Sequence, residues 1–354
     1  MVWIKVLAFS LGLALVGVTI SAVTRSFVLP RGENVRLTLS IFRAIRLFFE
    51  LELRLTRNYT RRDRIMALFA PTALVVTPAV MLTLILIGYT AMFWAIGVEP
   101  VERAFWMSGS ALLTLGFAPV TTLTQTILAF TEAMIGLGLI ALLIAYLPAI
   151  YSAFSARENL VALLEVYAGS PPSAFELISR ASRIRGLGYL GELWTSWEIW
   201  FAALEESHTS LLILAYFRSP SPDRSWVTAA GTVLDAAALA ASTLDIPPDP
   251  RANLCIRAGY LALRSLARLF GIRYNPDPKP YDPISIQREE FDRTCDMLLE
   301  SGIPLKNDRD QAWKDFSGWR VNYDRVLLSL AELTMAPYAS WTSDRPAPKW
   351  VEPE

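Results

Sequence analysis

Three long apolar stretches, with a short and mildly polar one caught between the last two, constrain this chain more than any other feature. The first runs from Trp3 to Val23 with one charge, Lys5; the second from about Met66 to Ile96; the third from about Leu123 to Phe154. Each reaches the roughly 20 apolar residues that a helix needs to cross a bilayer. A cleaved export signal is the competing reading of the first stretch, since it too has a basic start and an apolar centre. The rest of the chain is far more polar, although 53% of all 354 residues are hydrophobic and only 19% are charged. The apolar excess is therefore concentrated in the first 155 residues, and a multi-pass membrane protein with a separate polar domain is expected.

Orientation follows from where the arginines fall. Between Arg25 and Arg64 there are ten arginines (Arg25, Arg31, Arg36, Arg43, Arg46, Arg54, Arg57, Arg61, Arg62 and Arg64) against four acids. Such a loop stays in the cytoplasm. The segment from Gly97 to Thr122 carries just Glu99, Glu102 and Arg103 as charges, and is expected outside. The expected localisation is the cell membrane, with the amino terminus outside and the carboxy-terminal two hundred residues cytoplasmic. Inside the basic loop, Phe42, Ile45, Phe48, Phe49 and Leu53 can share one helical face over about Leu37 to Thr56. Arginines spaced along a helix can sense voltage, but Glu50 and Glu52 interrupt this series, so an amphipathic helix on the inner leaflet is the better reading.

The segment between the second and third spans carries the most specific pattern. Ala104 to Leu113 (AFWMSGSALL) is one short helix, too short to cross, containing Trp106, Ser108 and Ser110. Thr114-Leu115-Gly116-Phe117-Ala118-Pro119 follows directly. Non-helical backbone at membrane depth survives only where protein buries it or water lines it. A short helix ending in a Thr-apolar-Gly-aromatic turn meets that condition when an extended backbone aims its carbonyl oxygens at a cation path. Gly116 permits such backbone geometry, and the helix would point its negative dipole end at the ions.

On these residues the region from Met66 to Phe154, about a quarter of the chain, resembles the two-transmembrane, single-pore-loop tetrameric cation channels of the bacterial potassium-channel-like family, whose filter is usually written TVGYG. The resemblance implies a selectivity filter at Thr114, Leu115, Gly116, Phe117 and Ala118, with Ser108 as the pore-helix serine. It also implies a homotetramer, since one pore loop cannot surround an ion. Ala118 and Pro119 depart from the pattern: alanine in a glycine-type conformation would be strained, and proline removes a donor and the usual carboxylate. In the third span Glu132 followed by Gly136 fits the family's inner helix. The bland role for Glu132 is a hydrogen-bonded tie to the pore helix; the functional one is attraction of permeating cations. Gly136 and Gly138 allow a hinge or close packing, and Pro148 a kink near the cytoplasmic end.

Beyond Ser155 helical periodicity dominates, over Phe175–Ile184, Leu190–Tyr216, Ser225–Leu244, Ala252–Phe270, Ile286–Leu299 and Ala312–Leu333, with Ser173 as a cap. Gly186-Leu-Gly-Tyr-Leu-Gly191 has dinucleotide-fingerprint spacing but follows no strand, so a turn between helices is expected. Asn307-Asp308-Arg309-Asp310 lacks the glycine and glutamate of a calcium loop and reads as a helix start. His208, the sole histidine, cannot form a zinc site alone and reads as a packed or capping residue, with pH sensing as the alternative. Trp194, Trp197 and Trp200 share a helical face and read as core or subunit interface rather than a ligand cage. Cys255 and Cys295 fall on the cytoplasmic side, where thiols are usually reduced. Equal numbers of basic and acidic residues, 33 each, give no reason to expect nucleic acid.

The expected fold class is thus an all-α membrane protein. It comprises a transmembrane helix (1–24), a basic amphipathic segment (25–65), a pore domain with re-entrant helix and filter loop (66–154) and an α-helical cytoplasmic domain (155–354). The expected function is passive conduction of monovalent cations, potassium or sodium, by a tetramer in the lipid bilayer. No catalysis and no cofactor are expected, and no metal beyond permeant cations at the filter carbonyls. A non-conducting channel-like scaffold or sensor, and an enzyme anchored by the spans, are the alternatives.

Overall fold

The computed structural model describes residues 2–29, 36–54 and 59–350, and is all-helical apart from turns and one isolated bridge between Leu244 and Leu305. Arg31 and Arg57 of the basic loop lie outside the described residues. Two compact units form, Met1–Ser152 and Ala153–Glu354.

In the first unit, α1 (Val2–Val23) ends in a π-helical turn (Thr24–Val28). Helix α2 (Arg36–Arg54) and helix α3 (Tyr59–Ala67) lead into α4 (Phe69–Ala95), with a hitch at Leu68. Then come the short α5 (Val101–Leu112) and the long α6 (Leu123–Ala168). Three helical stretches are long and apolar enough to cross a bilayer: Val2–Val28, Tyr59–Ala95 and Leu123–Ala168. At 1.5 Å per residue, the 46 residues of α6 extend about 69 Å, more than twice the ~30 Å hydrocarbon core. α6 runs unbroken past the expected end at Phe154 and through Pro148, which is exposed.

α1 packs along α4 because glycine lets the two backbones meet. A Cβ on Gly12 would lie 2.4 Å from the Gly88 carbonyl oxygen, and one on Gly88 would lie 2.9 Å from that of Gly12. Val16, Met81, Ile85, Tyr89, Met92 and Phe93 fill the contact around this crossing. Lys5 closes one end by pairing with Glu99 at 2.6 Å while lying over the Trp94 ring. At the other end Ser26 and Thr38 hydroxyls meet at 2.7 Å, and the Phe42 and Phe49 rings of α2 pack on Phe69 of α4.

The second unit is built around α9 (Trp226–Thr243), which is buried along almost its whole length. Its alanines (Ala229, Ala230, Ala236–Ala238, Ala240) let neighbours close in from every side. Those neighbours are α7 (Ala174–Arg185), α10 (Pro250–Phe270), α12 (Arg309–Arg320) and α13 (Asp324–Thr334), while α8 (Leu190–Ser210) packs chiefly on α10, and α11 (Arg288–Glu300) on α7 and α12. Local caps set the helix starts as the side chains imply: Ser173 accepts from the Glu176 amide, Ser225 from Val227, Asp249 from Arg251 and Asp308 from Gln311. Thus the Asn307–Asp310 cluster begins a helix. Gly186, at φ 79, ends α7 and the chain passes through a single 3-10 turn into α8, so the glycine-rich run is a connector between helices.

Two expected helices are interrupted. The Leu190–Tyr216 stretch stops at Ser210, because Leu211 turns to φ −126, ψ 72, and a 3-10 segment follows. The Ala312–Leu333 stretch divides into α12 and α13. There Arg264, 58 residues away, takes the Asn322 carbonyl (2.9 Å) and side-chain oxygen (3.0 Å), which removes that carbonyl from helical use. The core also holds a charged knot. Arg320 on α12 bonds Asp235 (2.5 and 2.7 Å), Asp324 (2.7 Å) and the Trp341 carbonyl (2.6 Å), and Tyr323 donates to Asp235 at 2.8 Å. Trp194, Trp197 and Trp200 lie in this core, the rings of Trp197 and Trp200 meeting edge-on and both packing against Phe201. Cys255 and Cys295 are buried free thiols, and burial raises the pKa of both.

Candidate functional site

Helix α5 and the six residues after it are held between α4 and α6 by a small set of polar contacts. Ser108 and Ser110 are buried, whereas Trp106 on the opposite side of the helix is exposed. The Ser108 hydroxyl lies 3.1 Å from the Leu86 carbonyl oxygen of α4 and 2.5 Å from Oε1 of Glu132 on α6. One serine thereby joins three helices. Glu132 is fully buried and its second oxygen, Oε2, has no partner among the described residues. Above Glu132, Tyr89 of α4 meets Thr131 of α6 at 3.1 Å.

Gly136 and Gly138 have different surroundings. A Cβ at Gly136 would fall 2.1 Å from the backbone oxygen of Leu112, the last residue of α5, whereas one at Gly138 would meet nothing within 4 Å. Gly136 is thus the point where the end of α5 rests on α6. The signal for it was in the sequence, four residues after Glu132, but a hinge and a close approach read alike there.

The chain leaves α5 in a way the pattern did not indicate. Expectation had the segment pass straight into extended backbone. Instead Thr114 takes φ +55, the Leu115 amide bonds the Ser110 carbonyl at 2.8 Å and the Thr114 amide bonds Ala111 at 3.0 Å. This is the paired hydrogen bonding of a Schellman helix stop, with threonine in the left-handed place that glycine usually fills. Gly116 also has positive φ, +70. Ala118 does not: the expected strain at Ala118 is absent, because its amide donates to the Ser110 hydroxyl oxygen at 3.1 Å and the positive angles fall at Thr114 and Gly116. Ser110 therefore anchors both ends of the turn, through its carbonyl and its hydroxyl. Past Pro119, Gln125 caps the return into α6 by accepting from the amide and hydroxyl of Thr121.

Thr114, Leu115, Gly116 and Phe117 are all exposed in the single chain. Beside them Pro100, Glu102, Arg103, Trp106, Phe117 and Pro119 border an open cleft of about 300 Å³. The apolar side chains Leu123, Ile127, Phe130, Met134, Leu137, Ile144 and Tyr151 of α6 are likewise uncovered, at alternating steps of three, four and seven residues. Among the described residues no group of three or more histidine, cysteine or carboxylate side chains is placed to hold a metal. His208 lies far along the sequence, in the second unit. It is buried against Trp226, with Nε2 3.2 Å from Arg157 Nη1 and Nδ1 3.1 Å from Ser207 Oγ.

Compared with protein-family models, with curated proteins and with solved structures, the chain matches none.

Proposed function

We propose that the first unit is the subunit of a tetrameric pore for monovalent cations, with α5 as its pore helix, residues 114–118 as its filter and the second unit as a cytoplasmic assembly or gating domain. The supporting observation is the irregular backbone of residues 113–119, suspended between two bilayer-length helices and left exposed in one chain. Backbone of that kind is stable at membrane depth only if further protein or a water-filled path covers it. A ring of copies around an axis supplies both. The carboxy-terminal end of α5 directs its partial negative charge at that segment, and no basic side chain follows Arg103 before Arg157.

The Schellman turn at Thr114 favours one second reading, a channel-like scaffold that does not conduct. In that turn the Ser110 carbonyl is occupied by the Leu115 amide, and the backbone curls back on α5 instead of running along an axis.

Purified full-length protein in planar bilayers separates the two. Under bi-ionic potassium and sodium the pore reading gives cation currents with weak preference between the ions, because the filter has fewer well-formed oxygen sites than a fully glycine-based one. Silence from protein shown to be tetrameric supports the scaffold, and anion-dependent reversal overturns the cation pore.

A further inference from the structure

Helix α2 buries one flank and leaves a chemically mixed one outside. Its inner side rests on the first turn of α4 through Phe42 and Phe49 against Phe69, with ring centroids 6.4 and 5.7 Å apart. The outer flank is not simply polar. Leu47, Leu51 and Phe48 are 68%, 63% and 62% exposed, and Arg36 and Arg43 stand on the same ridge at helical spacing. Arg46 is neutralised by Glu50 at 2.8 Å. Arg36, Arg43, and Arg61 and Arg64 of α3, are exposed and make no ion pair among the described residues.

The position of the helix gives that mixture a meaning. The bond between Ser26 and Thr38 fixes the start of α2 where the first bilayer-length stretch ends, and Phe69 fixes its middle where α4 begins. α2 therefore sits at the level where two apolar helices leave the hydrocarbon. At that level leucine and phenylalanine side chains are accommodated among acyl chains and arginines among headgroups.

We propose that the outer flank of α2, continued by α3, is a docking surface for anionic lipid headgroups, with Arg36, Arg43, Arg61 and Arg64 facing the phosphates and Leu47, Phe48 and Leu51 inserted beneath them. Uncompensated cations select the anionic lipid over a zwitterionic one, and the leucines hold the helix at the depth where that selection acts. The inference requires the chain to be in a membrane and is independent of whether its pore conducts.

The test uses the full chain in detergent, mixed with equal amounts of phosphatidylglycerol and phosphatidylcholine of matched acyl chains, with retained lipids counted by native mass spectrometry. Phosphatidylglycerol should be retained preferentially. The double variant R36Q/R43Q should lower that preference about five-fold for each arginine removed, whereas R36K/R43K should keep it. L47Q/L51Q should reduce retention of both lipids together. Equal retention of the two lipids by the unaltered chain overturns the proposal, as does an unchanged preference in R36Q/R43Q. A change in the number of associated copies in R36Q/R43Q at unchanged lipid preference also overturns it, and assigns the flank to contacts between copies.

Discussion

Thr114 holds a conformation in which its β-branched side chain crowds the backbone, at a cost of about 1–2 kcal/mol that glycine would not incur. Replacing it by glycine should stabilise the single-chain turn by a net ~1 kcal/mol, once the extra freedom of glycine in the unfolded chain is subtracted. A raised thermal midpoint for Thr114→Gly checks this. A lowered one contradicts it.

Glu132 offers a second residue-scale test. Glu132→Gln keeps an acceptor for Ser108 and should retain folding and assembly, whereas Glu132→Ala leaves the contact unmade and should cost about 1–3 kcal/mol, read by thermal melting. A glutamine variant that assembles normally but loses cation preference would assign the carboxylate an electrostatic role. His208 makes a pH prediction. Arg157 Nη1 can only donate, so Nε2 accepts, and the ring is neutral with its proton towards Ser207; burial first, and the Arg157 charge second, hold the His208 pKa well below its usual 6.5. The unfolded chain therefore takes up a proton that the folded one refuses. Stability should fall as pH drops below about 6.5, by at most ~1.4 kcal/mol per pH unit. Denaturation of the parent and of His208→Asn across pH 5–7.5 checks it, since the difference between their slopes isolates this group.

At the level of elements, α5 and α6 meet through Gly136 and not through Gly138, and substitution should give opposite signs. Alanine raises helix propensity by about 1 kcal/mol at an open position, so Gly138→Ala should be neutral or stabilising. Gly136→Ala would drive a methyl into the Leu112 carbonyl and should lower the melting temperature, displacing the 114–118 segment with it. Comparable effects of the two changes would contradict this contact. The spans and the caps were legible in the sequence because their causes are local: a run of apolar residues, a serine three places before a glutamate. The tie from Glu132 to Ser108 was legible as one of two roles, since a carboxylate in an apolar span needs a partner and a serine stood on the neighbouring short helix. The stop at Thr114 was not, because threonine ordinarily avoids that conformation. The break between α12 and α13 was hidden because its cause is Arg264, distant in sequence. The partner of Asp235, Arg320, was equally out of reach of periodicity, which marks α9 as buried but does not say what its one acid meets.

Across the whole molecule, charge distribution makes the orientation testable. Reporter tags near Asp63 and after Glu354 should both read cytoplasmic, and one at Met1 should read outside, because the arginine-rich segment resists export. The pairing of Lys5 with Glu99 sets the start of α1 beside the segment that precedes α5, at the end of the unit away from α2. Export of the tag at Asp63 would reverse the entire assignment.

The uncovered row along α6 has a consequence for how the proposed ring of copies would hold together. Leu123, Ile127, Phe130, Met134 and Leu137 are bulky and apolar, and acyl chains solvate such side chains as well as another helix does. Inside a bilayer, water drives no association along that row. For the ring of copies proposed above, cohesion then follows two-dimensional mass action: spreading the protein through more lipid should separate it into single chains, and the subunit number seen by single-molecule photobleaching should fall as the lipid-to-protein ratio rises.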